Sequence, residues 1–201
     1  MKIIVNGREL EVSGKRRLIE ELREAGCDVP SLCYAPDAKH EHSCMVCMVR
    51  NEVNGEMLPS CGVYPSEGMR IDTESDEVKE LRRMAVELLL SEHRARCGGC
   101  ESKEKCKLRE LALQMKAKWN RFGALLPVEP VVQEHVTGRL YFEPAKCVRC
   151  GLCVYNSQDG FTFQRRGYNM QVVIPEESKG HVEESLAELC PTGALFLRCV
   201  K

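Results

Sequence analysis

Apolar and polar residues alternate through MKIIVNGRELEV, residues 1–12, on either side of Asn6-Gly7. That dipeptide accepts the positive φ of a tight turn, so the pattern predicts a β-hairpin. In RRLIEELREAG the apolar residues Leu18, Ile19 and Leu22 share one helical face, and Gly26 supplies the stop. A loop-rich stretch runs from there to about residue 70. A longer helix is predicted from Ser75, which can cap it. Asp76 and Glu77 suit its positive end, and Val78, Leu81, Ala85 and Leu88 form its apolar stripe up to about His93. Leu108, Leu111, Ala112, Met115 and Trp119 predict a second amphipathic helix, with Met115 and Trp119 as core or interface residues. GALLPVEPVV, with two prolines, reads as a linker. Beyond it, FTFQ and MQVVIP read as strands and HVEESLAEL as a helix leading into Cys190-Pro191.

These elements are short for a chain of 201 residues, and composition suggests what staples them. There are 13 cysteines and only 5% aromatic residues. Small modules bury too little apolar surface to be stable alone and often rely on metals or disulfides. The odd cysteine count and the tight Cys-x2-Cys pairs favour metal thiolates. No secretory signal pattern opens the sequence, which leads us to expect a reducing cytoplasm, and no apolar run approaches the roughly 18 residues of a membrane span. The formal net charge of −1 provides no general attraction to nucleic acid or anionic membrane. The basic stretch KAKWNRF, Lys116 to Phe122, is either a solvated helix end or a dock for an acidic partner.

The C-terminal cysteines carry the most specific pattern. Cys147, Cys150 and Cys153 form Cys-x2-Cys-x2-Cys, and Cys190 precedes a proline. One loop can wrap three corners of a cubane while a distant Cys-Pro supplies the fourth iron, as in bacterial two-cluster ferredoxins. The ligands of a second cluster are absent together, replaced by Ser157, Gly180, Glu183 and Leu186. The pattern therefore predicts one [4Fe-4S] cluster here; a zinc site is the competing reading, although zinc usually takes two separated knuckles. At the N-terminus Cys33, Cys44, Cys47 and Cys61 follow a hairpin and a helix, which suggests a β-grasp ferredoxin domain. Plant-type [2Fe-2S] ferredoxins use a related loop with different gaps.

VPSLCYAP, SCMVCMV and LPSCGVYPSEGMRI resemble the N-terminal [2Fe-2S] domain of the large iron–sulfur subunit of respiratory complex I. The same domain opens many [FeFe] hydrogenases and the small iron–sulfur subunit of the diaphorase part of NAD-reducing [NiFe] hydrogenases. Where those relatives often carry a glycine and an arginine around the central cysteine pair, this chain has His42 and Met45. The family's next element is a helix ending in His-x3-Cys-x2-Cys-x5-Cys, which binds a [4Fe-4S] cluster; His93, Cys97, Cys100 and Cys106 match that spacing. The resemblance thus implies one [2Fe-2S] and two [4Fe-4S] clusters. Replacing one thiolate by neutral imidazole at His93 tends to raise the reduction potential. Cys27 and Cys199 stand outside the spaced sets and read as small buried apolar residues, and His40, His42, His135 and His181 as structural or exposed.

The expected fold class is α+β in three parts with a linker. Residues 1–74 make the β-grasp [2Fe-2S] domain, 75–122 a helical His/Cys3 [4Fe-4S] domain, 123–137 the linker, and 138–201 a bacterial-ferredoxin-like domain with a single [4Fe-4S] cluster. No dinucleotide or Walker glycine loop and no hydrolase triad is present, so no catalytic site is expected on this chain. In size the chain resembles the diaphorase small subunit. That resemblance implies an electron-relay subunit of an NAD(P)-linked oxidoreductase, between a flavoprotein subunit binding NAD(H) and FMN and a catalytic or further electron-transfer subunit. The alternatives are an independent polyferredoxin and a zinc-stapled structural module.

Overall fold

The structure is a computed structural model, and it describes residues 1–95, 97–122 and 132–198. Strands β1 (Lys2–Val5) and β2 (Arg8–Glu11) form the expected hairpin, with Val5 opposite Arg8. Asn6 and Gly7 both have positive φ, 50° and 76°, as a two-residue turn matched to strand twist requires. Helix α1 (Leu18–Glu24) buries Leu18, Ile19 and Leu22 against Ile3 and Val5. It ends where Gly26 takes φ 83° and the Cys27 N–H reaches back to Leu22 O. Strands β3 (Met48–Asn51), β4 (Met57–Pro59) and β5 (Arg70–Asp72) complete a five-stranded sheet of order β2-β1-β5-β3-β4, in which β1 and β5 run parallel.

Ser75 caps helix α2 (Asp76–Glu92), its side chain accepting from Val78 N–H. The buried face of α2 differs from the expected stripe. Leu88 is 48% exposed, whereas Arg82 and Glu87 are buried beside Val78, Ala85, Val86 and Leu90. Hydropathy concealed this face because its two charged members find partners inside the protein. Arg82 donates to Met48 O and Thr73 O, tying α2 to the sheet, while Glu87 accepts from Lys118 N–H at 2.8 Å and pairs with Arg121 at 2.8 Å.

Helix α3 (Lys107–Gln114) stops five residues before Trp119, correcting the longer helix expected from periodicity. Lys116 turns into the left-handed region at φ 52°, which brings Lys118 and Arg121 onto Glu87. Trp119 is left 44% exposed, and Met115 packs against the core from its edge. The basic stretch is thus neither a helix end nor wholly free for docking, since Arg121 spans Glu80 and Glu87.

Burial alone would push the Glu87 carboxyl up, but the Lys118 N–H and Arg121 hold it below the usual carboxylate range. A depressed folded-state pKa adds stability above the unfolded value, and that stability is lost as pH falls through the folded one. Glu87→Gln should therefore cost about 1–3 kcal/mol at neutral pH. The gap to the parent protein should close below about pH 4, as urea midpoints across that range would register.

The C-terminal part begins with β6 (Glu134–Thr137), which occupies positions expected within the linker; residues 123–131 of that linker lie outside the described residues. With β7 (Leu140–Phe142) and β10 (Leu195–Leu197) it forms a sheet of order β10-β7-β6. Between them come α4 (Leu152–Asn156), the antiparallel pair β8 (Thr162–Gln164) and β9 (Gln171–Val173), and the short α5 (Leu186–Leu189). The last two strands lie where FTFQ and MQVVIP predict them. Helix α5 is much shorter than HVEESLAEL suggests.

Among the described residues apolar side chains gather into three cores, one under the first sheet and one under the second. The third, around α2 and α3, also takes in Cys33, Cys44 and Val46 from the first loop and Val148 from the C-terminal part. The chain is a mixed α/β protein whose parts share side chains where the cysteine loops meet. No helix among the described residues is long and apolar enough to cross a membrane.

Candidate functional site

Twelve cysteines among the described residues are free thiols. Cys33, Cys44, Cys47 and Cys61 are all buried, and Cys47 Sγ lies 3.3 Å from Cys61 Sγ. The loop that delivers them reverses at Met45, whose φ of 55° aims Cys44 and Cys47 inward. Hydrogen bonds from Cys44 and Cys61 push Cys33 down, while the bond to Cys33 and burial push Cys44 up. Four sulfurs sharing their protons out of water lack a counter-charge, and this donor set suits a thiolate-bound iron centre. Ser60, fully buried, donates to Cys47 O at 2.7 Å and holds the wall of the site in place.

Cys147, Cys150, Cys153 and Cys190 line one small cavity with Phe142 and Leu195. Arg149 at φ 54° and Gly151 at φ 81° bend the loop around it. Backbone N–H groups already point at sulfur: Arg149 N lies 3.4 Å from Cys147 Sγ, and Leu195 N lies 3.3 Å from Cys190 Sγ. Burial pushes the Cys147 thiol up to about 12 and raises Cys150 and Cys153 as well. Such sulfurs become anions readily only with a metal, so this donor set also fits.

His93 is the C-cap of α2, and the Cys97–Gly99 turn follows it after two described residues. Cys106 is buried at the start of α3, and burial, then the neighbouring Cys106 and Cys100, push the Cys97 thiol up. Burial lowers the His93 pKa and favours neutral imidazole. His93 Nδ1 lies 3.2 Å from Ala95 O, so a proton on Nδ1 donates there and leaves Nε2 as the lone-pair nitrogen.

Sequence spacing says nothing of how the sets meet. The Ser43 hydroxyl, beside Cys44, donates to Cys150 O at 3.3 Å, while Lys39 and Asn156 exchange hydrogen bonds of 2.9 and 2.8 Å. On the other side Lys107 N, next to Cys106, donates to Pro191 O at 2.8 Å, and Ser102 Oγ reaches Gly193 O. The C-terminal set therefore touches both others, although it comes last in the chain. Of the cysteines outside the sets, Cys27 packs beside the first core, and Cys199 lies outside the described residues. His135 and His181 are exposed, whereas His40 and His42 lie against Cys61.

Residues 1–76 match the 2Fe-2S iron-sulfur cluster binding domain, and residues 82–121 match the NADH-ubiquinone oxidoreductase-G iron-sulfur binding region. The gamma subunit of the NAD-reducing hydrogenase HoxS of Cupriavidus necator is 28% identical, over 98% of this chain and 86% of its own length. The G-type subunit of the NADH-quinone oxidoreductase of Rickettsia prowazekii is 25% identical over 97% of this chain. Both of these relatives are subunits of oxidoreductases that act on NAD or NADH. The chain spans most of the hydrogenase subunit but only 30% of the Rickettsia protein. Its fold matches a chain in the crystal structure of an NAD+-reducing [NiFe]-hydrogenase in the H2-reduced state, with TM-score 0.85 over 98% of this chain and 87% of that one, at 22% identity. The homology to [2Fe-2S] and [4Fe-4S] regions assigns this chain iron–sulfur clusters of both kinds.

Proposed function

We propose that the chain is the electron-relay subunit of a multisubunit NAD(P)-linked oxidoreductase, a hydrogenase, formate dehydrogenase or relative. Cys33, Cys44, Cys47 and Cys61 would hold a [2Fe-2S] cluster; His93, Cys97, Cys100 and Cys106 one [4Fe-4S] cluster; and Cys147, Cys150, Cys153 and Cys190 another. The units are a β-grasp domain, a helical His/Cys3 domain and a ferredoxin-like domain with one cluster. When bound, clusters of this kind exchange single electrons. The protein contributes burial, which keeps water from the sulfurs, and backbone N–H groups aimed at Cys147 and Cys190.

One observation carries the reading: the C-terminal set is hydrogen-bonded to the loops of both others, through Ser43 to Cys150 and through Lys107 to Pro191. A relay needs its donor sets to abut, and a structural zinc staple does not. The partners that fit are a flavoprotein subunit binding NAD(H) and FMN and a catalytic or further electron-transfer subunit.

Gentle anaerobic purification should yield a brown protein with such subunits attached. EPR on the reduced sample should resolve one [2Fe-2S] and two [4Fe-4S] signals. A colourless protein holding zinc and no acid-labile sulfide refutes the proposal, and a brown chain that purifies alone points to an independent carrier. His93→Ala should change the spectrum and potential of one [4Fe-4S] centre only; if neither moves, His93 is not a ligand.

A further inference from the structure

Two histidines cover the first cysteine set, and the proposed ligands use neither. His42 Nδ1 lies 3.6 Å from Cys61 Sγ. Its ring rests on Gly62, where an added Cβ would stand 2.9 Å from three imidazole atoms, so only glycine leaves room for it. His40 meets the His42 ring edge-on at 5.5 Å and holds Cys61 O with Nε2 at 3.0 Å. Tyr34 backs His40 at 4.8 Å. The imidazole of His42 is thus wedged against Cys61, although its outer face is exposed.

Ring nitrogens of His40 and His42 and the Cys61 sulfur lie within 4.8 Å of one another, a spacing a separate cation could use. Two contacts argue against that use. Cys61 Sγ is already 3.3 Å from Cys47 Sγ inside the first set, and His40 Nε2 is directed at the Cys61 carbonyl. What remains is a ring nitrogen at hydrogen-bond distance from a sulfur.

We propose that His42 Nδ1–H donates a hydrogen bond to Cys61 Sγ and thereby raises the reduction potential of the [2Fe-2S] centre. The proposal rests on the assignment of Cys61 as a ligand. One electron from an external reductant adds negative charge that the ligand sulfurs share. A donor on one sulfur stabilises the reduced form more than the oxidised form. No bond to His42 forms or breaks, and its proton stays on Nδ1. His42 is in this sense a positioning residue for charge at Cys61.

The test is a dithionite titration of the cluster-loaded full chain, followed by EPR. His42→Phe keeps the ring and removes the donor, and His42→Asn sets an amide nitrogen near the place of Nδ1. His42→Phe should lower the [2Fe-2S] midpoint and leave the [4Fe-4S] midpoints unmoved, while His42→Asn should return it toward the parent value. An unchanged midpoint in His42→Phe overturns the proposal. Should that variant fail to hold its cluster, pulsed EPR on the [2Fe-2S] signal of 15N-histidine-labelled parent protein decides. A weak 15N coupling supports the hydrogen bond, and an absent coupling or the strong coupling of a directly bound imidazole overturns it. Cys61→Ser tests the underlying assignment separately: an unaltered [2Fe-2S] spectrum there refutes the ligand set.

Discussion

Cys153→Ala protein, purified anaerobically, should hold about six irons per chain where the parent holds about ten, the share of one [4Fe-4S] cluster. The [2Fe-2S] EPR signal should stay. Cys153 shares its cavity with Cys147, Cys150 and Cys190, and among the residues lining it no histidine or carboxylate stands ready to replace a lost thiolate. The functional loss should exceed the loss of iron, because the loops of this set are hydrogen-bonded to those of both others. The Cys44 loop reaches it through Ser43 and the Cys106 loop through Pro191, so removing it takes out the centre that adjoins both of the other loops. Turnover of the assembled complex should then fall to background. Cys27→Ala is the control, since Cys27 packs beside the first core outside every set, and its iron content should not change. Full iron in Cys153→Ala would reject the proposed C-terminal set.

Glu143→Ala should destabilise the C-terminal part by about 3–5 kcal/mol, the usual consequence of leaving one buried charge without its partner. That is a large fraction of the roughly 5–15 kcal/mol that holds a domain folded. Glu143 and Lys146 pair at 2.9 Å with side chains only 3% and 5% exposed. Gln133 donates to the same carboxylate, and Phe196 lies under the ammonium at 5.2 Å. Without Glu143 the buried ammonium would be left over an aromatic ring with no carboxylate to pair with. Replacing both members, as Glu143→Leu with Lys146→Met, removes the orphan charge and should recover most of the loss. Urea unfolding monitored by circular dichroism would compare the three. A single variant within about 1 kcal/mol of the parent would mean that water reaches Lys146. The damage should extend to metal content, because the pair flanks the turn that leads into Cys147, and Arg94 N–H holds Ala145 O in the same turn.

Local features were legible from the sequence where the deciding interaction lies within a few residues. Asn6-Gly7 makes its hairpin, Gly26 ends α1, and Ser75 caps α2, each through backbone geometry that neighbouring residues do not override. Faces were read less well. Leu88 looked like core and is exposed, while Arg82 and Glu87, outside the expected stripe, are buried, because their partners sit elsewhere along the chain at Met48, Thr73, Lys118 and Arg121. The helix expected to reach Trp119 ends at Gln114, since contacts of the following residues with Glu87 outweigh helical periodicity.

The sequence by itself determined the chemistry of the donor sets. Loop spacing dictates which cysteines can curl around one centre, and the first and C-terminal sets do converge, on buried sulfurs and on one cavity. Only the tertiary structure decided the order of those sets in space and what surrounds each. The C-terminal loop touches both of the loops that precede it, and His42 rests on Cys61 because Gly62 leaves room for its ring. Ligand spacing is a property of a few adjacent residues. The arrangement of the sets depends on contacts more than a hundred residues apart, such as Lys39 with Asn156, which no local pattern encodes.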